Sequence, residues 1–211
     1  MRAPSFLFLA FLFPFLIPVL VGGSALAATL PAETAIYSAK ASYDVDNDHY
    51  SSTVISDHGR ERRVIQTPYG PQTVLIDPRA GKAYLIQPGM GAFAMDLSSR
   101  EVGINLAQLY GAPAEPLGRE TIDGIAVTKY HVTARPADNA SFDGFVWSTD
   151  DGIYVKVDGS GAYRGQTSHI AMRLTDIRRE AQDPATLQLP PGLPALDANP
   201  IVKQLLQQGA P

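Results

Sequence analysis

The stretch DGFVWSTDDGIYVKVDG, residues 143–159, decides how the rest of the chain is read. Around it Phe142, Val146 and Ser148 alternate with Phe145, Trp147 and Thr149. After TDDG, Ile153, Val155 and Val157 alternate with Tyr154, Lys156 and Asp158. Two period-two runs separated by a turn, with Gly152 free to take positive φ, predict a β-hairpin. Both of its faces carry apolar groups near the turn, which suits the centre of a curved sheet better than a one-sided edge. Trp147, the only tryptophan, reads first as an anchor of that hairpin.

Working outward, the same periodicity recurs. In AIYSAKASYDV (35–45), Tyr37, Ala39, Ala41, Tyr43 and Val45 share one face, and Ser38, Lys40, Ser42 and Asp44 share the other. Further strands are predicted at 50–56, 60–66, 71–77, 82–88 and 91–96, divided by SDHG, TPYG, DPRAG and PGMG, which supply turn residues. Downstream, GRETIDG, IAVTKYHVTA, FDGFVWST, IYVKVDG and TSHIAMRLTDI give five more. APAEP (112–116) reads as a connector and GSGAYRG (159–165) as a loop.

The period changes in SSREVGINLAQLYG. Ser98 and Glu101 stand at capping-box spacing, Val102, Leu106, Leu109 and Tyr110 fall on one helical face, and Gly111 is placed to end the helix. The proline-rich LPPGLPALDANP leads to a second short helix with Ile201, Val202, Leu205 and Leu206 on one side. Two strand groups separated by one helix predict an α+β fold, a large curved antiparallel sheet with a few helices on its concave face.

Arg2 is the only charge before Glu33, Phe6 to Val21 is apolar apart from Pro14 and Pro18, and Ala25-Leu26-Ala27 follows. This is the pattern of a secretory signal peptide over 1–27, cleaved after Ala27. Its apolar run is short for a membrane span of roughly 20 residues. The expectation is a periplasmic protein that does not span the membrane after cleavage. With no cysteine, it is not a lipoprotein and holds no disulfide, thiolate nucleophile or Cys-ligated metal. A formal net charge of −4 without a basic block argues against nucleic acid as a partner.

Chemical motifs are sparse. Asp44, Asp46 and Asp48 open like a calcium loop, but His49 stands where its glycine belongs and Ile55 where its acidic twelfth residue belongs. The four histidines, His49, His58, His131 and His169, show no metal-ligand spacing. No nucleophile-elbow motif occurs, Asp150 and Asp151 fall in a turn, and Asn139-Ala140-Ser141 is a short sequon of the kind that arises by chance. No enzyme, metal or cofactor is predicted. In RERRVIQT, Arg60 and Arg62 share one face while Arg63 lies opposite, with Ile65. There Arg63 would sit at the mouth of an apolar cavity, able to meet an ester or anionic head group.

The order of GRETIDGIAVTKYHV, FDGFVWSTDDGIYVKVDG, HIAMRLTDI and DPATLQLPPGLP resembles the second half of LolA/LolB-like periplasmic proteins, and RVI…VLIDPRAGKAYLIQP is similar to hairpins in their first half. The likeness covers about residues 35–192. It implies a half-open barrel over residues 28–192, followed by a tail at 193–211. In such proteins an apolar concave face is lidded by helices, and the carriers among them hold lipoprotein acyl chains there. This chain differs in entering its first strand almost directly through ATLPAETAIYSAK. The expectation is a non-enzymatic protein that binds a lipid, acyl chain or other amphiphile on the concave face. Tyr37, Tyr43, Arg63, Ile65, Tyr84, Ile86, Trp147 and Met172 are the candidate lining. The alternative is an envelope protein-interaction or structural module with a filled cavity.

Overall fold

The computed structural model describes residues 28–67, 70–87, 89, 91–97, 106–137, 140–163, 165–198 and 200. The expected signal peptide, most of the helix expected at 99–110 and the C-terminal helix lie outside these residues. Among the described residues thirteen strands form one open sheet in the order β1-β8-β9-β10-β11-β12-β2-β3-β4-β5-β6-β7-β13. These are β1 (Ala28–Thr29), β2 (Ile36–Val45), β3 (Asp48–Asp57), β4 (Arg60–Thr67), β5 (Gly70–Asp77), β6 (Lys82–Gln87) and β7 (Gly91–Asp96) in the first run. The second run is β8 (Pro113–Ile122), β9 (Ile125–Ala137), β10 (Ala140–Ser148), β11 (Tyr154–Tyr163) and β12 (Gln166–Arg178), and β13 (Ala195–Asp197) follows them. Every ladder is antiparallel except β7–β13. The two meanders are joined by the ladder between β12 and β2.

The strands form where period-two alternation meets turn chemistry. Asp46, His58 and Asp123 take positive φ in the two-residue hairpin turns, the last two beside Gly59 and Gly124, as tight hairpins demand. Two expected interruptions are absent. β8 begins at Pro113, so the predicted connector APAEP is strand, and β11 runs to Tyr163, so most of the predicted loop GSGAYRG is strand. In the latter, small residues fit a packing need. A Cβ on Gly159 would stand 2.6 Å from the Asp143 carbonyl oxygen and 2.9 Å from the Phe142 ring, so this glycine makes room for the ring.

Helical structure among the described residues is slight, and helices on the concave face are not seen there. Leu106–Leu109 and Pro184–Leu187 are single 3-10 turns, the latter capped by the Asp183 side chain on the Ala185 N–H. No helix among the described residues is long and apolar enough to cross a membrane.

Cross-strand partners share a face, so the register sorts the side chains. One face, here the inner one, carries Tyr37, Ala39, Ala41, Val146, Val157, Met172 and Leu174 of the main core. Between β1 and β2 the segment Leu30–Ala35 is tied across this core. The Leu30 N–H donates to Ala112 O, the Thr34 N–H to Asp151 O and the His58 N–H to Ala35 O. Leu30, the segment's first residue, is fully buried. The outer face of β4–β6 is crossed by the segment after β12, where the Arg62 guanidinium donates to Thr186 O and Leu187 is buried.

Candidate functional site

The inner face divides into two halves. Over β2, β3 and β9–β12 it is filled. The cavity left among Tyr37, Val54, Glu61, Arg63, Leu106, Tyr110, Tyr154, Met172 and Leu174 measures about 10 Å³, the space of roughly one water. Over β4–β7 the register carries one rung from Arg63 through Val74 and Leu85 to Phe93, with Ile65 and Met95 on neighbouring rungs. Ile65, Val74, Leu85, Phe93 and Met95 are all half-buried. An apolar surface therefore extends from the filled core toward the β7 edge.

At the border stands a buried polar cluster. Glu61 and Arg63 are two residues apart on β4, so alternation aims both inward, where Glu61 is fully buried. Arg63 Nε donates to Glu61 Oε2 at 2.6 Å and Nη2 lies 2.5 Å from the same oxygen. Arg63 Nη1 donates to Tyr43 Oη, and the guanidinium carbon lies 5.6 Å from the Tyr43 ring centre. From the crossing segment Glu33, only 7 % exposed, accepts hydrogen bonds from Ser56 Oγ and Tyr110 Oη. Tyr154 Oη is buried among these groups with no hydrogen-bond partner.

Burial, and then repulsion from Glu61, push the Glu33 carboxyl up to about 7, against the hydrogen bonds from Ser56 and Tyr110 and the charge on Arg63. Burial works against the charge on Arg63, but Glu61 and the neighbouring tyrosines together outweigh it and hold the guanidinium protonated. Burial and the two carboxylates push the phenols of Tyr37, Tyr110 and Tyr154 upward. The cluster thus holds one committed ion pair and one carboxyl poised near neutrality.

Of the predicted lining, Tyr37, Tyr43, Arg63, Ile65 and Met172 share the inner face, with Met172 directly opposite Tyr43. Tyr84, Ile86 and Trp147 do not. Tyr84 is opposite Leu75, and Leu75 is opposite Arg62, whose side chain reaches the outer segment. Tyr84 borders an outer groove of about 330 Å³ with Leu75, Leu187 and Leu189. Ile86 is two residues from Tyr84 on the same face. Trp147 stands between its cross-strand partners Lys129 and Lys156, whose ammonium groups lie 4.9 and 4.3 Å from its ring centre. Its indole N–H donates to Glu120 at 2.8 Å. These partners clothe the ring on the outer face, away from the inner-face lining for which Trp147 was a candidate.

Sequence reasoning missed Glu33 and Glu61. For Glu61 the signal was present, since Glu61, Arg63 and Ile65 alternate within RERRVIQT. Glu33 lies in an irregular segment and had none. Among the described residues no three His, Asp or Glu side chains converge to hold a metal ion. The Asp44–Asp48 run turns between β2 and β3, where Asp46 accepts the His169 N–H.

No protein-family model and no curated protein matches the chain, but solved structures do. An uncharacterized conserved protein from Thermus thermophilus matches over 78 % of this chain and 91 % of its own, with a TM-score of 0.51 at 8 % identity. LprF from Mycobacterium bovis matches over 75 % and 90 %, with a TM-score of 0.38 at 13 % identity. A chain of the Pseudomonas aeruginosa MucA/MucB complex matches over 78 % and 59 %, with a TM-score of 0.45 at 13 % identity. The first is a likeness of fold, and the other two are more distant.

Proposed function

We propose that the protein is a non-catalytic periplasmic binding module that takes an acyl chain or other amphiphile onto the inner face of β4–β7. The observation that carries this reading is the half-buried apolar surface of Ile65, Val74, Leu85, Phe93 and Met95 beside an already filled core. Burying a chain contributes about 0.8 kcal/mol per CH₂, so a chain of eight to ten carbons gains useful affinity without any reacting group. The sequence likeness to LolA/LolB-like proteins and the leader expected at 1–27 support both the ligand class and the compartment. Arg63 is engaged by Glu61 and Tyr43, so it borders the chain and does not grip its head.

Titration of the purified protein with a fluorescent fatty acid, followed by displacement with unlabelled amphiphile, tests this. Saturable one-to-one binding that Phe93→Asp abolishes is expected, and absence of saturable binding overturns the reading. The filled half of the inner face favours a second reading, an envelope protein-interaction module. Under that reading no probe binds, and capture of a partner depends on the tail at 193–211.

A further inference from the structure

We propose that the segment Leu30–Ala35 is a proton-operated latch, which neutral Glu33 clips to Ser56 and Tyr110 and which ionisation of Glu33 beside Glu61 loosens. The proposal stands independently of any ligand. Five backbone and side-chain ties hold the segment at its ends, to Gly111, Ala112, Asp151 and His58. Its middle is held by the Glu33 carboxyl.

As donors to the carboxyl, Ser56 and Tyr110 favour its ionised form, but burial and Glu61 outweigh them, and the same groups can also serve the neutral form. Ser56 Oγ also lies 3.3 Å from Arg60 O. Ser56 can donate there while accepting the Glu33 proton, and Tyr110 Oη donates to the other carboxyl oxygen. The ionised form meets a different field. Glu61 from β4 opposes it, and Arg63, the one inward cation facing it among the described residues, is committed to Glu61 and Tyr43. The other groups around it are the phenols of Tyr37, Tyr110 and Tyr154, none of which is charged near neutrality. Asp151 beneath the segment is paired with Arg179, and His58 at its far end with Asp57. Lifting the segment returns Glu33 to water and to its ordinary 4.5, and exposes its own Leu30, fully buried when it is closed.

The closed form therefore holds the proton from about 4.5 to about 7 while the open form has lost it, so opening becomes easier as pH rises through that window and levels off above it. Hydrogen exchange of the purified protein, corrected for the intrinsic pH dependence of amide exchange, reads this directly. Protection of the Leu30 and Thr34 amides, which donate to Ala112 O and Asp151 O, is expected to fall on the order of fifty-fold between pH 5 and pH 8 relative to β10 and β11, and to stay flat in Glu33→Gln. If that variant does not fold, the wild-type protein still decides the matter. Carbon-13 titration of the Glu33 carboxyl should coincide with the pH at which protection levels off. Protection that does not change with pH, a fall that persists in Glu33→Gln, or a Glu33 carboxyl titrating near 4.5 overturns the latch.

Discussion

Gly152 shows how one residue sets the closure of the inner face. It takes φ of +86°, and a Cβ there would stand 2.3 Å from Ala32 O and 2.6 Å from the Glu33 Cα. The turn of the β10–β11 hairpin thus presses directly on the crossing segment. Gly124 has a similar φ of +78° with nothing within 4 Å, so it isolates the backbone effect from the contact. Gly124→Ala should cost about 1 kcal/mol, the left-handed penalty alone. Gly152→Ala should cost about 3 kcal/mol or more, because backbone must also move. Urea midpoints of the two variants read the difference, and equal losses would remove the contact from the account. Glu33 makes a second residue-scale prediction, for global stability. Its folded value, raised by burial and then by Glu61 to about 7 from 4.5, means that the native state binds the proton more tightly than the unfolded chain. Its contribution is therefore present at low pH and lost as pH rises from about 4.5 to 7. Glu33→Gln should match the wild type near pH 4.5 and exceed it by roughly 3 kcal/mol at pH 8, measured as the difference between their pH–stability curves.

At the scale of elements, the strands were legible because alternation and turn residues agree. The predicted runs at 60–66, 71–77 and 91–96 differ from β4, β5 and β7 by at most one residue at either end. What alternation could not supply is which face of a strand looks inward, since that depends on its neighbour's register and one residue of slip inverts it. Tyr84 and Ile86 were lost that way, on a strand whose two faces are both half-buried. Trp147 was ambiguous for a related reason, since Val146, Trp147 and Ser148 are all buried in succession. The small residues of GSGAYRG suggested a loop, whereas Gly144 and Gly159 face each other across β10 and β11 beneath the Phe142 ring. Phe142 is fully buried and Phe145 is 37 % exposed on the opposite side. Phe142→Ala should therefore cost about 4 kcal/mol and Phe145→Ala less than about 1 kcal/mol, as read from denaturant unfolding. Comparable losses would mean that the hairpin is not anchored through its inner face.

At the scale of the whole molecule, the order of strands lay beyond the sequence. Each meander follows from its own turns, but the ladder between β12 and β2 joins residues more than a hundred positions apart, and local pattern carries no trace of such a pairing. That ladder places the two runs in one sheet, and with it the division of the inner face into a filled half and a half that is buried at Ile76 and Ala83 and half-buried along the rung from Val74 to Phe93. The division carries a consequence for substitution. Val146, fully buried in the filled half, has no partner for a charge, so Val146→Asp should cost several kcal/mol and leave no cooperative transition. Leu85 lies half-buried on β6, where an added carboxylate keeps contact with water. Leu85→Asp should keep a cooperative urea transition within about 1–2 kcal/mol of the wild type while abolishing saturable binding of a fluorescent fatty acid. A Leu85→Asp protein that binds the probe as the wild type does would move the amphiphile off β4–β7. One that fails to fold would place β6 in the core and return the whole inner face to packing.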